Sequence, residues 1–410
     1  MCNWRYPSVT LRVNRDPDLY RLCPMNTLTR IDTHVFNVSP KTNWVFIAVT
    51  DSDGAVGWGE ASLIGWEPML VAAATHLAPD WLGMSLDDAA TQLRVSPQSP
   101  GGLVGNTVTS AVLQAVANLL VQARGVQPTS VLGPTQRTQV ALYANINRAT
   151  RLRTPEGFVA TARRAQAQGF TSFKAAPFDG LTPALCGTPD GQARIRHGVD
   201  CMLALREALG PSARLMVDCH WRFDEAHALK VLQDLAPARL HWFECPIAET
   251  HAHWAATRRL RAAANAQGVL LAAAETQVGL AAFQSLFDEG LYDVVMPDVK
   301  YCGGPWEMLR IAERAAAQGV QFSPHNPSGP VCSWHSLLVA AVAPVCDMLE
   351  VQFDESPLFD EVQAGPGLAM EGGQLAVPVQ AGRVMAVQPA LLAAHPYQAV
   401  PPGIETLLNR

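Results

Sequence analysis

The chain has 410 residues, 49% hydrophobic and 16% charged, with a formal net charge of −6. That composition is globular, long enough for one large domain plus a smaller one, and it lacks the basic stripe a nucleic-acid partner would need. The longest uncharged apolar run, Leu337 to Cys346, has ten residues and contains Pro344; a membrane-spanning helix needs roughly 20, so no membrane partner is expected.

Residues 1–24 carry Arg5, Arg12, Arg15 and Arg21 with no continuous apolar core behind them, and read as an extension rather than a secretory signal. The nine cysteines are scattered and form no C-x-x-C pair. They read as reduced thiols of a cytoplasmic protein, with neither a zinc knuckle nor a disulfide framework. Residues 29–38 and 43–50 alternate as strands, Asp51-Ser52-Asp53-Gly54 marks a turn, and 55–60 continue the meander. Helical stretches at 65–79 and 106–124 complete a small α+β domain, set at 25–136.

A repeat begins near residue 137. A helix ends in Gln168-Gly169-Phe170, and the same phrase returns at Gln267-Gly268-Val269 and Gln318-Gly319-Val320. Each glycine fits a helix C′ position, where φ is positive. Thr154 and Pro155 open the first of these helices as N-cap and N1. Short apolar strands fall near 138–144, 170–176, 213–218, 239–244, 269–275, 292–298, 320–324 and 347–351. Strands alternating with helices over this length predict an α/β fold, a (β/α)8 TIM-type barrel over 137–375. A doubly wound sheet would show a glycine fingerprint after its first strand, and none follows 138–144. Residues 376–410 hold no further βα unit and are expected to return to the first domain.

A barrel does its chemistry where strands end. Here the strand ends carry Lys174, Asp218, Glu244, Glu275, Asp298, His325 and Glu350; from Asp218 onward successive members are 23 to 31 residues apart, about one βα unit. Any one carboxylate there could be a helix N-cap. Carboxylates on three successive strands are costly unless a cation neutralises them, and oxygen-only ligation suits Mg²⁺. Of the four lysines (41, 174, 230 and 300), two fall at barrel strand ends.

The phrases VDCHWRF (217–223), WFECPI (242–247), MPDVKYCGG (296–304) and SPHNPSGP (323–330) resemble motifs of the enolase superfamily, specifically its mandelate racemase branch. The resemblance runs from about residue 28 and includes TDSDGAVGWGEA. It implies a modified barrel under an α+β capping domain, with Mg²⁺ held by Asp218, Glu244 and Glu275 and a His325–Asp298 dyad as general base. Such proteins remove the proton α to a carboxylate and stabilise the resulting enediolate on the metal; they are often homo-oligomers. The chemistry is coherent: the metal offsets developing charge, and a base with a near-neutral pKa takes the proton while Asp298 fixes its tautomer.

The branch usually shows Lys-x-Lys at the end of the second strand, whereas this chain reads Lys174-Ala175-Ala176. Lys174 and Ala176 face the same way, with Lys174 one layer deeper, placed to contact the substrate carboxylate rather than to act as a second base. Racemisation needs acid/base groups on both faces of the carbon, so the expectation is β-elimination of water by an acid-sugar dehydratase. A racemase, epimerase or cycloisomerase is the runner-up, and a non-catalytic binding protein the remote alternative. His220 is a further acid/base candidate and Lys300 an alternative base. The expected substrate contacts are Asn145, Arg148, Arg222, Asn326 and Glu350 from the barrel, with Lys41 and Asn43 from a capping loop.

Overall fold

A computed structural model describes residues 26–99 and 101–400; the extension at 1–24 and the last ten residues lie outside the described residues. Three antiparallel strands, β1 (Leu28–Ser39), β2 (Thr42–Asp51) and β3 (Val56–Glu60), form the capping sheet. The turn after β2 is set by Asp51, whose Oδ1 accepts from the amides of Asp53 and Ala55 at 3.0 and 2.9 Å. Helices α1 (Glu67–Trp81), α2 (Leu86–Gln92) and α3 (Gly102–Arg124) follow. The short α2 escaped the sequence reading; Ser85 caps it, accepting from the Asp88 amide at 3.0 Å.

Helix α3 is long and apolar enough to cross a bilayer by length and composition, but 94% of its most apolar window is buried within the molecule, so it is a core helix here. The apolar-run criterion passed over it because Gly, Asn, Thr, Ser and Gln interrupt the sequence. Two strand glycines let it approach: a Cβ on Gly57 or Gly59 would run into the carbonyls of Ala115 and Ala111.

The barrel strands are β4 (Gln139–Asn145), β5 (Ser172–Ala175), β6 (Arg214–Asp218), β7 (Trp242–Glu244), β8 (Leu270–Ala273), β9 (Val294–Val295), β10 (Gln321–Phe322) and β11 (Leu349–Gln352). Neighbours pair in parallel from β4 to β10, and β11 pairs with β4. The remaining seam is bridged by Asp347 N to Phe322 O at 3.3 Å and Glu350 N to Pro324 O at 3.4 Å. All eight strands lie within the segments expected from sequence, apart from one residue at the end of β4 and of β11.

Between them run α4 (Pro155–Ala167), α5 (Pro189–Leu209), α6 (Glu225–Asp234), α7 (Trp254–Asn265), α8 (Gly279–Asp288), α9 (Gly304–Ala317) and α10 (Pro330–Val342). Thr154 caps α4, and Gly169, Gly268 and Gly319 have φ of 90°, 72° and 68°, as the repeat required. Among the described residues no long helix follows β11. The chain instead crosses to the capping sheet, where Asn37 N donates to His395 O at 2.9 Å.

Helix α10 is buried on every face between barrel and cap. Its N-terminal amides have no intrahelical acceptor, and the capping domain supplies one: Glu60 accepts from Gly329 N at 2.8 Å and Cys332 N at 3.0 Å. On the same helix His335 Nε2 meets Trp58 O at 3.2 Å, while Nδ1 is buried without a hydrogen-bond partner.

Burial drives the His335 pKa down to about 4, the Trp58 carbonyl opposing. The folded value lies below the unfolded one, so the neutral ring stabilises the fold fully above pH 6.5, and that contribution is lost as pH falls toward 4. It amounts to ~3 kcal/mol. His335→Leu is expected to flatten the unfolding free energy across that window. Parallel acid profiles for the two proteins would refute this account.

Candidate active site

Three carboxylates meet at the C-terminal mouth of the barrel. One oxygen from each of Asp218, Glu244 and Glu275 lies within 4.8 Å of the others, and all three residues are buried. Register explains the first two: Asp218 pairs with Glu244 at the ends of β6 and β7. Glu275 needs a different device, because Glu244 pairs with Ala272. The chain beyond β8 turns through Ala274 at φ 84°, which brings Glu275 to the other two. Cys245, His220 and Trp221 also hold positive φ, so strained backbone gathers at this mouth.

The donor set fits a hard divalent cation. It is all oxygen, buried and crowded, and burial followed by the neighbouring carboxylates pushes Glu244 well up, against the pull of Lys174. Asp218 is held low despite burial, through His220 and Lys174. A second cluster, Cys186, Asp224 and His227, is accounted for otherwise: Asp224 caps α6, accepting from His227 N at 2.9 Å and pairing with its ring.

His325 Nδ1 lies 2.8 Å from Asp298 Oδ2, and its Nε2 lies 3.3 Å from Glu275 Oε2. The contact to Asp298 assigns the ring proton to Nδ1 and leaves Nε2 on the side of the three carboxylates. Burial disfavours the charged ring, yet Glu275 and Asp298 raise its pKa overall. Asp298 is shared: Lys300 Nζ approaches the same oxygen at 2.5 Å and bonds Ser328 Oγ as well. His220 Nε2 stands 2.7 Å from Asp218 Oδ2.

A cavity of about 680 Å³ opens over this cluster. Asp218, Glu275, His220, His325, Lys300 and Ala176 line it, as do Asn145, Arg148, Arg222, Lys41 and Asn43. Several of these are already engaged. Arg148 pairs with Glu355 at 2.8 Å, Arg222 donates to the Phe178 carbonyl, and the Asn43 amide donates to Gln398 O at 2.9 Å.

Three residues expected at the site lie deeper than the sequence reading put them. Lys174, Glu350 and Asn326 do not line the cavity; they form a buried network beneath it. Lys174 pairs in register with Met216, and Glu350 with Tyr143, each a layer below the strand ends. Lys174 Nζ lies 2.8 Å from Glu244 Oε1 and 3.0 Å from Glu350 Oε1. Glu350 also accepts from Asn145 Nδ2 and Asn326 N at 2.7 and 2.9 Å. Lys174 therefore pairs with a carboxylate of the cluster from below.

Sequence reasoning missed Trp44, Ser62, Asn147, Asp179, Tyr301 and Gln352, which also line the cavity. It missed Glu355 behind them. Nothing in their spacing marks them out: Trp44 and Gln352 lie in β2 and β11 and the others between regular elements.

An eight-stranded parallel barrel with three convergent carboxylates and a histidine–aspartate dyad at its C-terminal mouth places the candidate chemistry where barrel enzymes carry it. Residues 157–390 match the family model described as Enolase C-terminal domain-like, more than half of the chain, and the protein belongs to that family. It is 25% identical over 385 residues to a D-galactonate dehydratase of Ralstonia pickettii (strain 12J), covering 91% of this chain and 95% of that one. It is 26% identical over 364 residues to a D-gluconate dehydratase of Thermoproteus tenax, covering 88% and 71%. Among solved structures, a mandelate racemase/muconate lactonizing enzyme from Sulfitobacter sp. superposes with a TM-score of 0.81 at 24% identity, covering 93% of this chain and 98% of the other.

Proposed function

We propose that the protein is a Mg²⁺-dependent acid-sugar dehydratase that eliminates water across the α and β carbons to give a 2-keto-3-deoxy acid. The reading rests above all on the cavity's asymmetry. A histidine backed by a carboxylate stands on one side of the acidic cluster, and Ala176, which cannot move a proton, holds the β5 position. The dehydratase names of the relatives agree with it.

Asp218, Glu244 and Glu275 would hold Mg²⁺, which would supply the positive charge that acidifies a proton α to a carboxylate. His325 Nε2 takes that proton, and the Nδ1–H bond to Asp298 stabilises the imidazolium formed. His220, on the loop after β6, delivers a proton to the departing β hydroxide. The enol left behind tautomerises to the keto acid. Asn145, Asn147, Thr42, Ser62 and Gln352 offer the polar wall a polyhydroxylated substrate needs.

His220 also supports the runner-up, since a second imidazole could reprotonate the α carbon and make an epimerase. A panel of aldonates and aldarates assayed with Mg²⁺ separates the two. The dehydratase reading expects keto acid from at least one of them, abolished by chelation. Exchange of the α proton with solvent deuterium but no keto acid would mean epimerisation, and absence of both would overturn the reading.

A further inference from the structure

One wall of the cavity comes from the capping loop at 39–43, and among the described residues the hydrogen bonds from Ser39 and Thr42 to the barrel side run to one side chain. Glu355 follows the end of β11 by three residues, next to Asp354, whose φ of 48° turns the chain. Its Oε1 accepts from Ser39 Oγ at 3.0 Å and from Thr42 Oγ1. Its Oε2 takes Arg148 Nη1 at 2.8 Å. Only 8% of the Glu355 side chain is exposed. Ser39 Oγ in turn accepts the Lys41 amide at 3.2 Å. Lys41, Thr42, Asn43 and Arg148 line the cavity, and Glu355 does not.

A single carboxylate therefore holds a cavity arginine of the barrel and two hydroxyls of the cap, 313 and 316 residues away in the chain. Carboxylate-to-hydroxyl bonds are charge-assisted and directional. If the loop lifts, Oε1 loses both hydroxyls, and the carboxylate keeps the Arg148 pair on Oε2. The other side of the loop is held within the cap and its C-terminal segment, where Asn43 accepts from Asn37 Nδ2 at 3.0 Å and donates to Gln398 O. The loop's hydrogen bonds to the barrel side thus depend on Glu355, those within the cap do not, and the flanking Val38 and Trp44 pack against α10 in either case.

We propose that Glu355 is a positioning residue: it latches the 39–43 loop over the cavity and sets Arg148, and so governs how tightly substrate is held rather than how fast it reacts. Its effect on KM rests on the dehydratase reading; its effect on the loop does not.

The test is hydrogen exchange of the 39–43 amides together with steady-state kinetics. Glu355→Ala is expected to speed exchange there by about tenfold. It should raise KM by about tenfold and leave kcat within about threefold. Ser39→Ala combined with Thr42→Val removes the hydroxyls and spares the Arg148 pair, and should speed exchange to the same degree. Glu355→Gln keeps an oxygen that accepts from both hydroxyls and should restore slow exchange. Unchanged exchange in the double variant, or a fall in kcat with KM unaltered, overturns the latch. If no tested sugar acid turns over, the exchange measurement decides alone, since it needs no substrate.

Discussion

His325→Asn is expected to lower kcat/KM for keto-acid formation by about 10³-fold or more, the range general acid–base catalysis contributes. Asparagine fills a similar space and can still donate to Asp298, so the buried carboxylate keeps a partner and the loop keeps its shape. What disappears is the basic nitrogen that stood 3.3 Å from Glu275. Calorimetric Mg²⁺ affinity should stay within about threefold, because the three carboxylates remain. Exchange of the substrate α proton with solvent should fall as far as turnover does. Asp298→Asn should cost less, about 10²-fold, since the imidazole survives but loses its fixed tautomer and the charge that stabilises its protonated form. Retention of more than a tenth of the activity in His325→Asn would remove His325 from the proton path.

The barrel was legible in the sequence because its signals are local and repeated. Gly169, Gly268 and Gly319 each mark a helix end through a conformation other residues resist. The convergence of Asp218, Glu244 and Glu275 was legible for a related reason: a strand end returns once per βα unit, so acidic residues at that interval meet at one mouth. Depth was not legible. Lys174, Glu350 and Asn326 also sit at or near strand ends, and spacing alone made them look like pocket residues. Which layer a side chain occupies depends on register with the neighbouring strands, and Lys174 lies opposite Met216 rather than Asp218. A difference of two residues separates Ala176, which lines the cavity, from Lys174, which lies beneath it against Glu244.

The cap was legible as an alternating meander, but its contacts with the barrel were not. Glu60 reads in sequence as the end of a strand; only the fold places it over the orphan amides of α10. Glu355 and its two hydroxyl partners lie more than 300 residues apart, and no local pattern signals such a pairing. Residues that join domains carry functional weight here without any periodicity to announce them.

Lys174→Met is expected to destabilise the fold by about 3–5 kcal/mol, the cost of stripping one partner from a buried ion pair. Methionine matches the aliphatic stem, so packing changes little, and the effect reports charge. The Lys174 side chain is 1% exposed, and its ammonium is the cation shared by Glu244 and Glu350. Despite burial, those two carboxylates hold its pKa well up, so it is charged in the native protein. Without it, the remaining donors to the pair are neutral: Trp242 Nε1 at 3.0 Å from Glu244, and Asn145 and Asn326 on Glu350. Two buried carboxylates would then face each other uncompensated, and one must take up a proton. Urea unfolding with a chelator present measures the loss. Adding Glu350→Gln to Lys174→Met removes the excess charge and should recover more than half of it, a coupling expected only if the three groups act as one network. A loss below about 1 kcal/mol for the single variant would mean that water or a proton already satisfies Glu244 and Glu350, and that the lysine is packing rather than counter-charge.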